Sequence, residues 1–158
     1  MKIYTVIGAR PQFIKASAVS KAIQESLKLS ETIIHTGQHF DKNMSQSFFE
    51  ELSIPHPNYN LNAGGGTQSE QAAKIMMGYE KLLYKADLDF CIVVGDVTST
   101  MACSIVAKKM MKKVVHIEGG IRSFDMSMPE EINRIVTDSI TDYFFTTSET
   151  ANQNLEKI

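Results

Sequence analysis

Short apolar runs recur along the chain, separated by longer stretches whose apolar residues keep helical spacing. Lys2–Ile7, Thr32–His35, Asp89–Val94, Val114–Ile117 and Tyr143–Phe145 are the runs, and the alternation is that of repeated strand–helix–strand units. Cys91-Ile92-Val93-Val94 and Val114-Val115-His116-Ile117 are almost continuously apolar and rich in β-branched residues, as strands covered on both faces are. The pattern predicts an α/β, Rossmann-like domain with a doubly wound parallel sheet, one domain over residues 1–158.

The helix after the first run should start at Pro11, whose fixed φ and missing N–H suit the first helical position. Ile14, Ala18, Val19, Ile23 and Leu27 give it an apolar face for the sheet. A second helix is expected over Asn43–Leu52 and cannot pass Ile54-Pro55-His56-Pro57, because proline removes a donor and restricts its predecessor. Thr67 with Glu70 has the spacing of a capping box for a helix running to about Tyr84. Gly64-Gly65-Gly66 does not follow a strand, so it reads as flexible backbone and not as a phosphate cradle. Asn154–Ile158 falls in mid-helix with no stop signal, which reads as a chain continuing into a longer protein.

Composition narrows the function classes. A chain of 158 residues can hide roughly 70% of its unfolded surface, enough for one core. Sixteen Lys and Arg against 18 Asp and Glu, a net charge of -2, lack the basic excess that nucleic acid demands. No apolar run approaches the roughly 20 residues needed to cross a bilayer, so a soluble cytoplasmic protein with no membrane partner is expected. Cys91 and Cys103 form neither a CxxC pair nor a disulfide framework and read as small buried hydrophobes. His35 and His39 lie in a non-helical segment, so their spacing of four does not make a metal pair, and His116 in an apolar strand reads as a satisfied core residue.

In a parallel sheet of this kind ligands bind beyond the carboxyl ends of the strands. Three such ends carry chemistry: Gly8-Ala9-Arg10-Pro11, Gly95-Asp96-Val97-Thr98 and Glu118-Gly119-Gly120-Ile121-Arg122. Arg10, at a helix start, offers a fork of donors beside the positive end of the helix dipole and suits an anion such as a diphosphate. Lys15 is either a second cation there or a solvated side chain. Asp96 and Glu118 at neighbouring strand ends suit acid–base work, since burial and mutual repulsion can separate their pKa values. Asp96 fits equally an N-cap or Asx turn ahead of Thr98. Glu130, in Pro129-Glu130-Glu131-Ile132-Asn133-Arg134, is a third acid, although two glutamates and a proline also mark any stable helix start, and Glu130 with Arg134 has the spacing of a stabilising i,i+4 pair.

Gly8-Ala9-Arg10-Pro11-Gln12-Phe13-Ile14-Lys15, His35-Thr36-Gly37-Gln38-His39, Gly95-Asp96, His116-Ile117-Glu118-Gly119-Gly120-Ile121-Arg122 and Pro129–Arg134 together resemble the non-hydrolysing UDP-N-acetylglucosamine 2-epimerase family along the whole chain. That resemblance implies the N-terminal half of a GT-B-type two-domain fold, with the C-terminal UDP-binding domain absent from this chain and the isolated half inactive. It implies that Asp96, Glu118 and Glu130 are the catalytic carboxylates. Arg10, Lys15, Gln38, His39, Arg122 and Arg134 form the implied substrate-binding set, Gln38 and His39 matching a loop that serves an activating second site in some bacterial members.

The implied reaction converts UDP-N-acetylglucosamine to UDP-N-acetylmannosamine by elimination of UDP through a 2-acetamidoglucal and re-addition. It needs no cofactor, and Gly8-Ala9-Arg10-Pro11 lacks the glycines of a nicotinamide-binding turn. A homodimer of the full-length protein is implied as well. Ala9 and Gln12 stand where relatives often carry threonine and glutamate, Phe40 replaces an arginine, and Gly64-Gly65-Gly66 lacks a basic residue of the activated members. Gly8–Phe13 and Arg122-Ser123-Phe124-Asp125-Met126 look closer to a subgroup that includes 2-epimerases of UDP-2,3-diacetamido-2,3-dideoxyglucuronic acid. That substrate and a GT-B glycosyltransferase half-domain are the alternatives.

Overall fold

The computed structural model describes residues 1–38, 46–51, 53 and 55–158. Strands β1 (Lys2–Ile7), β2 (Ser30–His35), β3 (Tyr59–Asn60), β4 (Phe90–Val94), β5 (Lys113–Ile117) and β6 (Tyr143–Phe145) alternate with helices α1 (Arg10–Gln24), α2 (Gln46–Glu51), α3 (Gln68–Tyr84), α4 (Thr98–Lys109), α5 (Pro129–Ile140) and α6 (Glu149–Leu155). All pairings are parallel and the sheet order is β3-β2-β1-β4-β5-β6, so the winding direction reverses between β1 and β4. That reversal opens the crevice in which such sheets hold ligands.

Period-two alternation sends β4 into two cores at once. Cys91 and Val93 pack with Tyr79 and Leu83 of α3 and with Ala102 and Cys103 of α4. Val94 packs with Phe13 and Ala16 of α1, and Ile92 with Ile23 near its end. Both cysteines are free and buried; burial, eased by the hydroxyl of Tyr79, pushes the Cys91 thiol up to about 12. On the α1 side, β4, β5 and β6 also line an apolar groove of about 720 Å³ that includes Ile92, Val115, Ile117 and Phe145. No helix of the described residues is long and apolar enough to cross a membrane.

The capping box forms: Thr67 Oγ1 accepts from the Glu70 amide at 3.2 Å and Glu70 Oε2 from the Thr67 amide at 2.7 Å, and the helix ends at Tyr84. Of the span predicted for the second helix, α2 covers Gln46–Glu51, while Asn43 and Leu52 lie outside the described residues. The face predicted for α1 is corrected. Gln12, Phe13, Ala16, Ser20 and Ile23 are buried, whereas Ile14 is 54% exposed and Leu27, beyond the helix end, is fully exposed. A polar residue sets this rotation: Gln12 Oε1 accepts from the amides of Gly8 and Ala9 at 2.6 and 3.0 Å, and its Nε2 donates to the Val94 carbonyl at 2.5 Å. These bonds lock the end of β1 to that of β4. Gly8 permits the approach, since a Cβ there would stand 2.3 Å from Ser99 Oγ.

Candidate active site

The carboxyl ends of β1, β4 and β5 lie side by side, so the segments after them share one rim. Gly95 turns the chain with φ +66°, and Asp96 follows. Asp96 is not a cap: the N-cap of α4 is Val97, with no side-chain bond. The Asp96 carboxylate instead receives Nε and Nη2 of Arg134 at 2.9 and 2.5 Å, both on Oδ2, and Oδ1 stays clear of hydrogen bonds to the described residues. Asn133 Nδ2 holds the Asp96 carbonyl at 2.8 Å.

Glu118 has φ +70°, a left-handed conformation that costs a non-glycine residue roughly 1–2 kcal/mol and that tends to be found where function fixes a side chain. Its Oε2 lies 2.6 Å from Lys15 Nζ and would be 3.5 Å from a Cβ on Gly95. Lys15 from α1, Glu118 from the end of β5 and the Gly95-Asp96 turn after β4 are thus brought together. Arg10, the first residue of α1, is exposed on the same rim. Glu130 is exposed in the first turn of α5 and borders a cavity of about 230 Å³ with Gln38, Gln71, Thr98 and Asn133. Gln38 Oε1 also receives the amide and hydroxyl of Ser99, at 2.9 and 2.7 Å, at the start of α4. His39 lies outside the described residues.

Two arginines are engaged by buried carboxylates, one of them against its spacing. Arg134 does not pair with Glu130; it bridges Asp96 and Glu131, the latter at 3.0 Å, because Glu131 faces inward while Glu130 points to solvent. The Arg122 side chain is 8% exposed and donates to Asp138 at 2.6 Å. Asp138 is not singled out by the sequence, and Glu131 reads there only as a helix-start glutamate. Glu131, 1% exposed, accepts from the Ser123 amide and hydroxyl and from the Phe124 amide. Burial pushes its carboxyl up, but the Ser123 amide, the Arg134 guanidinium and the Phe124 amide outweigh that and hold it down at about 2. Burial also raises Asp138, and His116, Arg122 and the Gly120 amide outweigh it, leaving that carboxyl below its ordinary value. A signal was present: Glu131, Arg134 and Asp138 recur at helical spacing, and α5 buries this polar face while Ile132 and Ile135 stay exposed.

The rim therefore offers two neighbouring carboxylates for proton transfer, a lysine and an arginine for an anion, and a third carboxylate beside a polar cavity. Among the described residues no cluster of His, Cys, Asp or Glu is arranged to hold a metal ion.

A family model described as UDP-N-acetylglucosamine 2-epimerase matches residues 21–158. The chain is 52% identical over 156 residues to the UDP-2,3-diacetamido-2,3-dideoxy-D-glucuronate 2-epimerase of Pseudomonas aeruginosa, a match covering 99% of this chain and 44% of that protein. It is 45% identical over 155 residues to the UDP-N-acetylglucosamine 2-epimerase of Methanocaldococcus jannaschii, covering 98% of this chain and 42% of that one. The crystal structure of a Methanocaldococcus jannaschii UDP-GlcNAc 2-epimerase in complex with UDP-GlcNAc and UDP matches with a TM-score of 0.95 at 44% identity, over 99% of this chain and 43% of that one. The Neisseria meningitidis enzyme bound to UDP-GlcNAc gives 0.92 at 30% identity, over 100% and 43%. The chain spans less than half the length of these relatives.

Proposed function

The chain belongs to the UDP-N-acetylglucosamine 2-epimerase family, and from that membership we propose that it supplies the acid–base half of an enzyme inverting C2 of a UDP-linked 2-acetamido sugar. The observation that carries this reading is the gathering of Asp96 and Glu118 at adjacent strand ends, with Lys15 on Glu118 and Arg10 at the start of α1 on the same rim.

A C2 hydrogen is barely acidic in the intact sugar. As the C1–O bond to the diphosphate breaks, charge developing at C1 acidifies it enough for a carboxylate base. The C2–H electron pair becomes the C1=C2 double bond, UDP leaves with the C1–O pair, and Arg10 with Lys15 stabilises the growing negative charge. Re-addition reverses each step, except that the proton reaches C2 on the opposite face. Two acid–base groups are therefore needed, and Asp96 and Glu118 are the pair, with Glu130 a third carboxylate of the cleft. A second domain, carried by the length of chain that the relatives have beyond this match, binds the UDP and closes over the intermediate to exclude water.

UDP-N-acetylglucosamine is the first substrate of this reading. UDP-2,3-diacetamido-2,3-dideoxyglucuronic acid is the second, supported by the 52% identity to its epimerase. The reading carries a cytoplasmic location and a homodimer of the full-length protein. In that full-length protein, Asp96→Asn and Glu118→Gln should each lower turnover of the better of the two substrates by about 10²–10⁴-fold, the worth of a positioned acid or base. Turnover within tenfold of the unaltered protein for both variants would overturn the assignment.

A further inference from the structure

Beneath the rim lies a buried charged group that the reaction as written does not use. His116, on β5, is 0% exposed and Asp138, on α5, 3%. His116 Nδ1 lies 2.7 Å from Asp138 Oδ1, and its Nε2 lies 2.7 Å from the Gly95 carbonyl oxygen. The second carboxylate oxygen, Oδ2, accepts from the Gly120 amide at 3.1 Å and from Arg122 Nη1 at 2.6 Å. One side-chain pair therefore reaches both loops of the candidate site, the Gly95-Asp96 turn through the imidazole and the Glu118–Arg122 turn through the carboxylate.

We propose that His116 and Asp138 are positioning residues, an imidazolium–carboxylate pair that fixes the backbone from which Asp96 and Glu118 project. The proposal rests on the acid–base roles given to those two residues above. Hydrogen-bond roles define the pair. A carbonyl oxygen only accepts, so Nε2 carries a hydrogen; Asp138, accepting from Arg122 and Gly120 as an ionised carboxylate, requires a hydrogen on Nδ1 as well. Both ring nitrogens donate, and the ring bears a positive charge between two acceptors.

The need for such a brace is visible in the backbone. Gly95, Glu118 and Gly120 all have positive φ, at +66°, +70° and +81°. A turn holding a glutamate in the left-handed region persists only when its surroundings over-determine it. The Gly120 amide on Asp138 and the Glu118 amide on the Phe145 carbonyl, at 2.9 Å, hold that turn from two sides. The Gly95 amide on the Ile117 carbonyl, also at 2.9 Å, and His116 on the Gly95 carbonyl hold the other. Arg122, expected to bind substrate, is in this account the counter-charge that completes the Asp138 carboxylate.

Two substitutions separate the two bonds of the imidazole. Asparagine reaches the place of ring Nδ1 and can keep Asp138 while losing Gly95; glutamine reaches the place of Nε2 and can keep Gly95 while losing Asp138. In the full-length protein, compared at equal folded fraction, His116→Asn should lower kcat about 100-fold with KM little changed, the size expected when a catalytic group is displaced by about 1 Å. His116→Gln should restore kcat to within about tenfold. Equal kcat in the two variants, or an asparagine variant as fast as the unaltered protein, overturns the positioning role.

Nitrogen-15 NMR of the unaltered chain at neutral pH is independent of activity and of whether the variants fold. It should show both His116 ring nitrogens protonated, and a neutral tautomer overturns the pair. If the unaltered full-length protein turns over neither UDP-sugar, the functional reading fails, while the NMR result still decides the pair.

Discussion

Glu130 and Glu131 are adjacent in sequence, and the structure divides their work. Glu131 accepts four hydrogen bonds in a buried site, whereas Glu130 is exposed at the rim. Glu131→Gln keeps the size of the side chain but puts an NH2 where one oxygen stood. Either orientation turns that NH2 toward donors: Phe124 N on the Oε1 side, or Ser123 and Arg134 on the Oε2 side. A buried donor left unsatisfied costs about 1–3 kcal/mol, and loss of the charge facing Arg134 adds to it, so about 3 kcal/mol of stability should go. With a urea m-value of about 2 kcal/mol/M, the midpoint of the chain should fall by roughly 1.5 M at unchanged m. Glu130→Gln, at an exposed site, should stay within about 0.5 kcal/mol. In the full-length protein the Glu130 variant should nevertheless lose turnover. A Glu131→Gln midpoint shift equivalent to less than about 1 kcal/mol, or equal shifts for the two variants, would refute this division.

Acid should destabilise the fold through the same network. The Glu131 carboxyl titrates at about 2 against an ordinary 4.5, and that of Asp138 below its ordinary 3.8, so protonation favours the unfolded chain. Their contribution is complete above about pH 4.5 and is lost as pH falls from there toward 2; urea midpoints measured across that range should drop, and a flat profile would count against it. Gln12→Ala strands the amides of Gly8 and Ala9, while the Val94 carbonyl keeps the Thr100 hydroxyl, and should cost about 3 kcal/mol by urea denaturation. A loss under 1 kcal/mol would show that Gln12 does not lock the rim.

The sheet was legible because five of its six strands contain apolar runs of three to six residues with helical pattern between them, and α3 because Thr67 and Glu70 advertise their own cap. β3 escaped notice: two residues, Tyr59-Asn60, paired only to Ile34 and His35, carry no periodicity. The face of α1 was misread because a glutamine, not an apolar residue, sets its rotation. At the site, position after a strand was enough to single out Asp96 and Glu118, since the topology of a parallel sheet brings those ends together. Only the helical spacing of Glu131 with Arg134 and Asp138 set Glu131 apart from Glu130. Their difference arises from the amides of the Ser123-Phe124 loop, whose turn is closed by Phe124 at φ +59°, a conformation that composition does not announce. Arg122 and Arg134 were recognised as chemistry-bearing, but their partners, Asp138 and Asp96, come from other elements and could not be read from spacing.

In the proposed function, carboxylates on this rim remove the C2 hydrogen of a UDP-sugar and return a proton to the opposite face. Proton NMR of the full-length protein turning over UDP-N-acetylglucosamine or its diacetamido-glucuronate counterpart in deuterium oxide tests it most directly. Every inverted product molecule should carry deuterium at C2; inversion with the original hydrogen retained would overturn the elimination chemistry.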